Sequence, residues 1–179
     1  NNKLDPEAIP NRYKVVANLP FYITAPVIRR FLEMVDIKSR PVEMILMTQK
    51  EVAQRICSKP PKMNLLAISV QFYAKPEIIS YISKKYFWPK PKVDAAIIKI
   101  TPLVATGKKT NADLFFKIVK AGFSQPRKQL ANNLSRSLKK ERGQISKWLM
   151  KNNINPEQRA ETLTIESWKG LTRTFGDIE

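Results

Sequence analysis

The sequence contains no histidine and a single cysteine, Cys57, among its 179 residues. Without histidine there is no Ser–His or Cys–His nucleophile pair, and a zinc site would have almost nothing to ligate it. One cysteine cannot build an internal disulfide framework. We therefore predict no metal site, and we expect any chemistry here to need little acid–base help from protein side chains.

Long apolar runs and acidic residues are also scarce. No run approaches the roughly 20 residues that span a bilayer, and no signal-peptide pattern opens the chain. The 32 Lys and Arg outnumber the 15 Asp and Glu, which gives a formal net charge of +17. So basic a globular composition indicates a polyanionic partner, either nucleic acid or an anionic membrane surface. A soluble polyanion is favoured because nothing in the chain spans a membrane.

The first predicted strand ends in a turn that is both polar and aromatic. Residues 15–17 are an apolar run that fits a parallel sheet, and Pro20 ends it because proline cannot donate to a ladder. Ligands of open α/β sheets bind at such carboxyl ends. The amide of Asn18 and the ring of Phe21 suit a planar amino-substituted heterocycle such as adenine. Alternatively, the turn simply stops the strand and Phe21 belongs to the core.

Strand and helix patterns alternate through the first hundred residues. The periodicities predict a helix capped by Thr24 with Pro26 in its first turn, strands over residues 42–47, 76–82 and 93–100, and a short helix over residues 49–57. Residues 65–73 fit either a helix or a buried strand. The alternation predicts βαβ units and a parallel sheet.

A basic, aromatic loop lies between the last two predicted strands. Residues 84–92 contain three consecutive aromatic residues bracketed by four lysines and two prolines. A loop of this composition can stack on an unpaired base and hold its backbone. The alternative is that the rings pack on the sheet while the lysines form a solvated flank.

The strand signal ends after Pro102. We predict a polar linker over residues 107–110, then helices along the apolar stripe of residues 114–119 that Gly122 closes, from Pro126 through Leu138, and over residues 144–151 and 165–175. This divides the chain into a sheet domain over residues 1–104 and a helical domain over residues 105–179. Between residues 108 and 142 ten basic side chains face two acidic ones, which favours phosphate contact over simple solvation.

Five motifs then occur in the order of a known family. They are NLPF at 18–21, MTQKEVA at 47–53, YFWPKPKVD at 86–94, FSQPRKQL at 123–130 and RAETL at 159–163. Over nearly its whole length the chain closely resembles the KsgA family of small-subunit ribosomal RNA adenine dimethyltransferases. The resemblance implies an α/β fold: the carboxyl-terminal part of a Rossmann-like, S-adenosylmethionine-dependent methyltransferase sheet, followed by a small all-helical RNA-binding domain.

The resemblance also implies a reaction and its setting. Methyl groups from S-adenosylmethionine would be transferred to adenine N6, twice per base, on two adjacent adenosines of a 16S ribosomal RNA hairpin loop. The partner would be the small ribosomal subunit in the cytoplasm, with no membrane and no metal. Asn18 matches the family position that, with the carbonyl region of Pro20, accepts hydrogen bonds from the exocyclic amine and abuts the methyl donor. Catalysis would then be mainly alignment.

The site residues carried over from the family fall into three groups. The catalytic motif would be Asn18, Leu19, Pro20 and Phe21, with Asn18 also at the cofactor. Phe21 and Phe87 would stack on the two faces of a flipped-out base. The RNA-binding residues would be Lys90, Lys92, Arg127 and Lys128.

The chain departs from the family in two respects. The commonest family residue at the position of Phe21 is tyrosine, so the stack would persist without a phenol. Family members also carry an amino-terminal part with a glycine-rich loop that holds S-adenosylmethionine, whereas none of the five glycines here follows a strand in a G-x-G arrangement. We therefore expect a carboxyl-terminal fragment that lacks the main cofactor cradle and is inactive by itself.

Two other interpretations stay open. A large-subunit adenine methyltransferase of the macrolide-resistance type would share the opening motif and the aromatic loop, although the motifs at 123–130 and 159–163 favour the KsgA family. A non-catalytic RNA-binding factor of ribosome assembly would use the same basic surface.

Overall fold

The computed structural model describes residues 12–20, 23–33, 40–103 and 111–178. The chain divides into two compact units, Asn1–Cys57 with Ser69–Val104 and Ser58–Ile68 with Ala105–Glu179. We refer to them as the sheet unit and the helical unit. The linker expected over residues 107–110 lies outside the described residues. The assignment of catalysis to residues 1–104 and of RNA binding to residues 105–179 stays a prediction.

The sheet unit is built on a four-stranded mixed sheet in the order β1-β2-β4-β3. Its strands are β1 (Lys14–Asn18), β2 (Glu43–Gln49), β3 (Ala74–Ile82) and β4 (Ala95–Pro102). β1 and β2 are parallel, but β4 runs antiparallel to both β2 and β3. The prediction of a parallel sheet is therefore right for the first pair and wrong for the other two. β3 reaches β4 through a loop rather than a crossover helix, and such a connection joins antiparallel neighbours.

The alternation of side chains along the central strands builds the core of the sheet unit. β2 buries Met44, Leu46 and Thr48, and the residues between them are half-buried. On β4, Ile98 and Ile100 are fully buried. Successive side chains of a strand point to opposite faces, so this pattern gives each strand one face in the core.

The sheet unit also contains α1 (Thr24–Leu32) and α2 (Lys50–Ile56), whereas α3 (Leu65–Gln71) begins in the helical unit and ends in the sheet unit. α3 lies where the periodicity allowed either helix or strand. Thr24 does not cap α1 as predicted, because Ile23 occupies the cap position and Thr24 is the first helical residue. The Thr24 side chain is buried, and its hydroxyl accepts a hydrogen bond from Thr48 Oγ1 at 3.3 Å. Pairing with β2 thus uses the hydroxyl that the local pattern predicted as a cap.

The helical unit contains α4 (Ala112–Gly122), α5 (Leu130–Leu138), α6 (Arg142–Lys151) and α7 (Ile165–Arg173). Short 3₁₀ helices occupy Ala160–Thr162 and Phe175–Ile178. Its core is aromatic, with Phe115, Trp148, Trp168 and Phe175 all buried. No helix among the described residues is long and apolar enough to cross a membrane.

The start of α5 differs from the prediction that Pro126 opens it. A turn closed by the hydrogen bond from Lys128 N to the Gln125 carbonyl, 3.0 Å, precedes the helix. The amide of Leu130 then donates to the Gln158 carbonyl at 2.8 Å, which satisfies a group at the start of the helix. Because this partner lies far away in sequence, a local proline signal does not contain it.

Candidate functional site

The sheet topology brings the opening motif and the aromatic loop to one edge. Asn18, the last residue of β1, lies opposite Met47 of the parallel strand β2. Because β4 is antiparallel, its first residue, Ala95, pairs with Gln49 at the end of β2. The carboxyl ends of β1 and β2 therefore meet the loop that enters β4.

A cleft of about 160 Å³ opens at this edge. Its lining residues are Asn18, Met47, Phe87, Trp88, Pro89, Pro91 and Ala95. Among these residues Asn18 supplies the one amide and Trp88 an indole N–H, and the other walls are apolar. A small, mostly apolar cleft with a single amide matches the needs of a flat heterocycle that carries an amino group.

The amide of Asn18 is available for a ligand. The residue is exposed, and no hydrogen bond of its side chain occurs within the described part of the chain. The following turn is closed by the backbone instead, because Ile23 N donates to the Pro20 carbonyl at 3.1 Å. A carbonyl oxygen has two lone pairs, so Pro20 keeps one acceptor position. A side chain that merely stopped the strand would instead bond to nearby backbone groups.

The other members of the opening motif lie beside Asn18 or outside the described residues. Leu19 is half-buried and Pro20 is exposed. Phe21 lies outside the described residues, so its proposed stack on the base stays a prediction. Phe87 is half-buried in the cleft wall, on the same cleft as Asn18.

Asp94 fixes the aromatic loop at its base. Its carboxylate accepts a hydrogen bond from Lys84 N at 3.0 Å, and its carbonyl accepts one from Lys50 N at 3.0 Å. Lys84 Nζ also donates to the Lys92 carbonyl at 3.3 Å. Asp94 is the last residue of the motif at 86–94, and no role was predicted for it. A lone acidic residue after a run of lysines was the signal that could have identified it.

Lys90 and Lys92 are both exposed on this loop. Neither is part of an ion pair within the described residues, so their ammonium groups can meet phosphate oxygens.

The second predicted basic pair lies on the turn that precedes α5. Arg127 and Lys128 are exposed there. Asn133 is buried. Its amide donates to the carbonyl of Gly122 at 2.7 Å, before the turn, and to the carbonyl of Gln125 at 2.9 Å, at the first residue of the turn. Asn133 therefore positions the turn that presents the two cations. No local pattern indicates this role, because an asparagine inside a helix has no distinctive neighbours in sequence.

The described residues do not form a complete site for S-adenosylmethionine. All five glycines of the sequence lie after residue 104, so the sheet unit has none to form a phosphate- or nucleoside-binding turn. The cleft of about 160 Å³ is also well below the roughly 300–1,000 Å³ of pockets that hold whole drug-sized ligands. No group of three or more potential metal ligands occurs among the described residues.

The fold is shared with solved RNA methyltransferases. The crystal structure of the 23S rRNA methyltransferase ErmE matches with a TM-score of 0.71 and 19% identity, over 92% of this chain and 66% of that one. A dimethyladenosine transferase from Plasmodium falciparum matches with a TM-score of 0.70 and 22% identity, over 92% of this chain and 67% of that one. These likenesses confirm the predicted α/β class with a Rossmann-like sheet and following helices.

The family assignment comes from sequence. The family described as "Ribosomal RNA adenine dimethylase" matches residues 2–173, and the chain belongs to this family. Ribosomal RNA small subunit methyltransferase A of Dehalococcoides mccartyi (strain CBDB1) is 43% identical over 173 residues. That match covers 94% of this chain and 58% of the relative, so the chain spans little more than half the length of this curated relative.

Proposed function

We propose that this chain supplies the target-base cleft and an RNA-binding surface of an enzyme that uses S-adenosylmethionine to dimethylate adenine N6 in 16S ribosomal RNA. The observation that carries the proposal is the amide of Asn18, which has no hydrogen-bond partner among the described residues and lines the same small cleft as Phe87. The cytoplasm, where small subunits are assembled in bacteria such as its relatives, is the proposed place of action.

The chemistry proposed for this edge is alignment. The Asn18 side-chain oxygen and the free lone pair of Pro20 are acceptors for the two hydrogens of an adenine N6 amine. Holding the N–H bonds fixes the orientation of the amine, so that its nitrogen lone pair can be aligned with an incoming methyl group. S-adenosylmethionine, when bound, supplies that electrophilic methyl group. No histidine is needed, because the amine can attack first and lose its proton afterwards.

The grip on RNA is assigned to exposed cations on both units. Lys90 and Lys92 flank the cleft on the aromatic loop, and Arg127 and Lys128 lie on the turn before α5. Phosphate contacts of this kind provide affinity and register, whereas the cleft provides selectivity for the base.

The small subunit is preferred over the large subunit as the source of the RNA. The likeness to ErmE, at 19% identity, concerns the fold. The relative at 43% identity is named for the small subunit, and this supports 16S RNA as the substrate. The two adjacent adenosines of a hairpin loop are part of this proposal and follow from the family resemblance.

The test is Asn18→Ala in the parent enzyme, meaning the natural protein that carries this sequence. We expect turnover on small subunits that lack the modification to fall by about a hundredfold or more, as when one preorganised contact to a reacting group is lost. RNA affinity should change less than about twofold, because the residue touches the reacting nitrogen rather than a phosphate.

Gln54→Ala is the matched control, because Gln54 is an exposed amide on α2 that does not line the cleft. It should leave both turnover and affinity unchanged. If Asn18→Ala lowered affinity as much as turnover, Asn18 would be a structural residue and the proposal would be wrong.

A further inference from the structure

Two aromatic side chains at the cleft are left in solvent. Trp88 is 97% exposed and Tyr86 is 73% exposed, whereas Phe87 between them is half-buried in the cleft wall. The other two tryptophans, Trp148 and Trp168, are 2% and 0% exposed. Trp88 therefore contributes nothing to the core of the sheet unit, although burying such a ring would remove roughly 150–250 Å² of surface from water.

The backbone explains why neighbouring rings have different surroundings. Phe87 has an extended conformation, with φ −111° and ψ 145°, and successive side chains of extended backbone point to opposite sides. Trp88 borders the cleft while nearly all of its surface stays in water. Its ring therefore stands at the mouth of the cleft, beside rather than inside the space that Phe87 lines.

The charge around these rings selects the type of partner. Lys84, Lys85, Lys90 and Lys92 surround them, and residues 84–92 contain no acidic side chain. Lys85 Nζ lies over the Tyr86 ring at 5.0 Å from its centre. Protein–protein interfaces are depleted in lysine, whereas proteins that bind single-stranded nucleic acid combine cations with exposed rings.

We propose that Trp88, with Tyr86 beside it, stacks on an unpaired nucleotide next to the target base, so that the cleft and its mouth bind two neighbouring bases of one RNA strand. The Cα atoms of consecutive residues are about 3.8 Å apart, so bases bound by Phe87 and Trp88 on opposite sides of the loop would come from nucleotides that are close together on an extended strand. The inference rests on the proposed function and adds to it a second base-binding position.

The loop is prepared for such a stack before RNA arrives. Asp94 holds the start of the loop through its hydrogen bond from Lys84 N. Within the loop, Phe87 N donates to the Lys84 carbonyl at 3.3 Å. Pro89 and Pro91 further limit the backbone. A rigid platform loses little conformational entropy on binding, so more of the stacking energy appears as affinity.

The test uses the 179-residue chain and its intrinsic fluorescence. Because Trp148 and Trp168 are buried, quenching by a bound base reports on Trp88. Titration with a single-stranded oligoadenylate should quench the emission saturably. An abasic strand of the same length, which presents the same phosphates without bases, should quench far less.

Affinity is measured in parallel by anisotropy of the labelled oligoadenylate. Trp88→Leu should weaken binding about five- to hundredfold, which is the range for loss of one base stack. Trp88→Phe keeps an aromatic face and should retain most of the affinity. Both variants should fold normally, since the side chain is in solvent. Equal affinities of Trp88→Leu and the unmodified chain, or equal quenching by the abasic strand, would overturn the inference.

The same result separates this inference from the proposed function. Base-dependent quenching with no methylation by the parent enzyme would support the stacking position and refute the enzymatic proposal. Methylation that requires Asn18, together with unchanged RNA binding by Trp88→Leu, would support the enzymatic proposal and refute the stacking position. If the mouth of the cleft bound a protein instead, RNA would not quench the Trp88 emission, and this result would also refute the inference.

Discussion

The sheet unit and the helical unit place their tryptophans in opposite environments. In the helical unit, Trp148 and Trp168 are enclosed, and Trp148 Nε1 donates to Thr174 Oγ1 at 2.8 Å. In the sheet unit, the single tryptophan, Trp88, stands in solvent beside a cleft. The same residue type therefore stabilises one unit and is available to a ligand in the other.

The difference shows how each unit divides stability from function. The helical unit uses its rings as core and exposes cations on a turn, whose position a buried asparagine fixes. The sheet unit builds its core from aliphatic side chains of β2 and β4, and the exposed rings of its aromatic loop are not part of that core. A ring that supports no core can be changed without loss of the fold, which makes the comparison testable.

The largest expected effect is the contrast between two Trp→Ala substitutions. Trp148→Ala should destabilise the helical unit by about 3–5 kcal/mol, because it leaves a cavity and removes the hydrogen bond to Thr174. Trp88→Ala should change stability by less than about 0.5 kcal/mol. Urea unfolding followed by circular dichroism measures both. Comparable losses in the two variants would show that Trp88 is packed, and the contrast between the units would fail.

A smaller effect is expected from adding a methyl group at Gly122, where the backbone of α4 lies against the Trp168 side chain. A Cβ on Gly122 would collide with the Trp168 side chain and lie 3.2 Å from Leu130 Cδ1. Gly122→Ala should therefore cost about 1–3 kcal/mol through overpacking. Gly176→Ala is the matched control, because a Cβ there meets nothing within 4 Å. If thermal unfolding gave the two variants the same midpoint, the helical core would have room that the structure does not show.

The parts that the sequence predicted depend on local patterns. An apolar run followed by Asn18 and Pro20 identifies a strand and its end without knowledge of the rest of the fold. The stripe along α4 likewise needs only the period of a helix. The juxtaposition of Asn18 with Phe87 was expected from the family resemblance, and the cleft that both residues line is consistent with it.

The parts that it missed depend on pairing across the chain. The alternation of β4 is the same in either direction, and only its pairing with β2, from Met44 opposite Ile100 to Gln49 opposite Ala95, shows that it is antiparallel. The start of α5 is set by Gln158, and the base of the aromatic loop by Asp94. Exposure is also a property of the whole unit, so three consecutive aromatic residues gave no means to distinguish the half-buried Phe87 from the exposed Trp88.

The smallest effect concerns Cys57 and tests whether the sheet unit is tightly packed at the carboxyl end of α2. Burial, assisted by the nearby charge of Glu77, raises the pKa of this thiol to about 11. Because the folded state holds the proton more tightly, the stabilising contribution is complete below the unfolded pKa of about 8.5 and is lost as the pH rises through 11. The group is half-exposed, so we expect less than about 1 kcal/mol.

Alkylation by iodoacetamide, followed by mass spectrometry, measures the same property kinetically. At pH 8 the thiolate is scarce, so Cys57 should react more than about tenfold slower than free cysteine and speed up towards pH 10. Urea-unfolded chain provides the control at each pH. A folded chain that reacted as fast as the unfolded one would have a loosely packed sheet unit. The enclosed core of the helical unit would then contrast with a sheet unit that is loosely packed at the carboxyl end of α2.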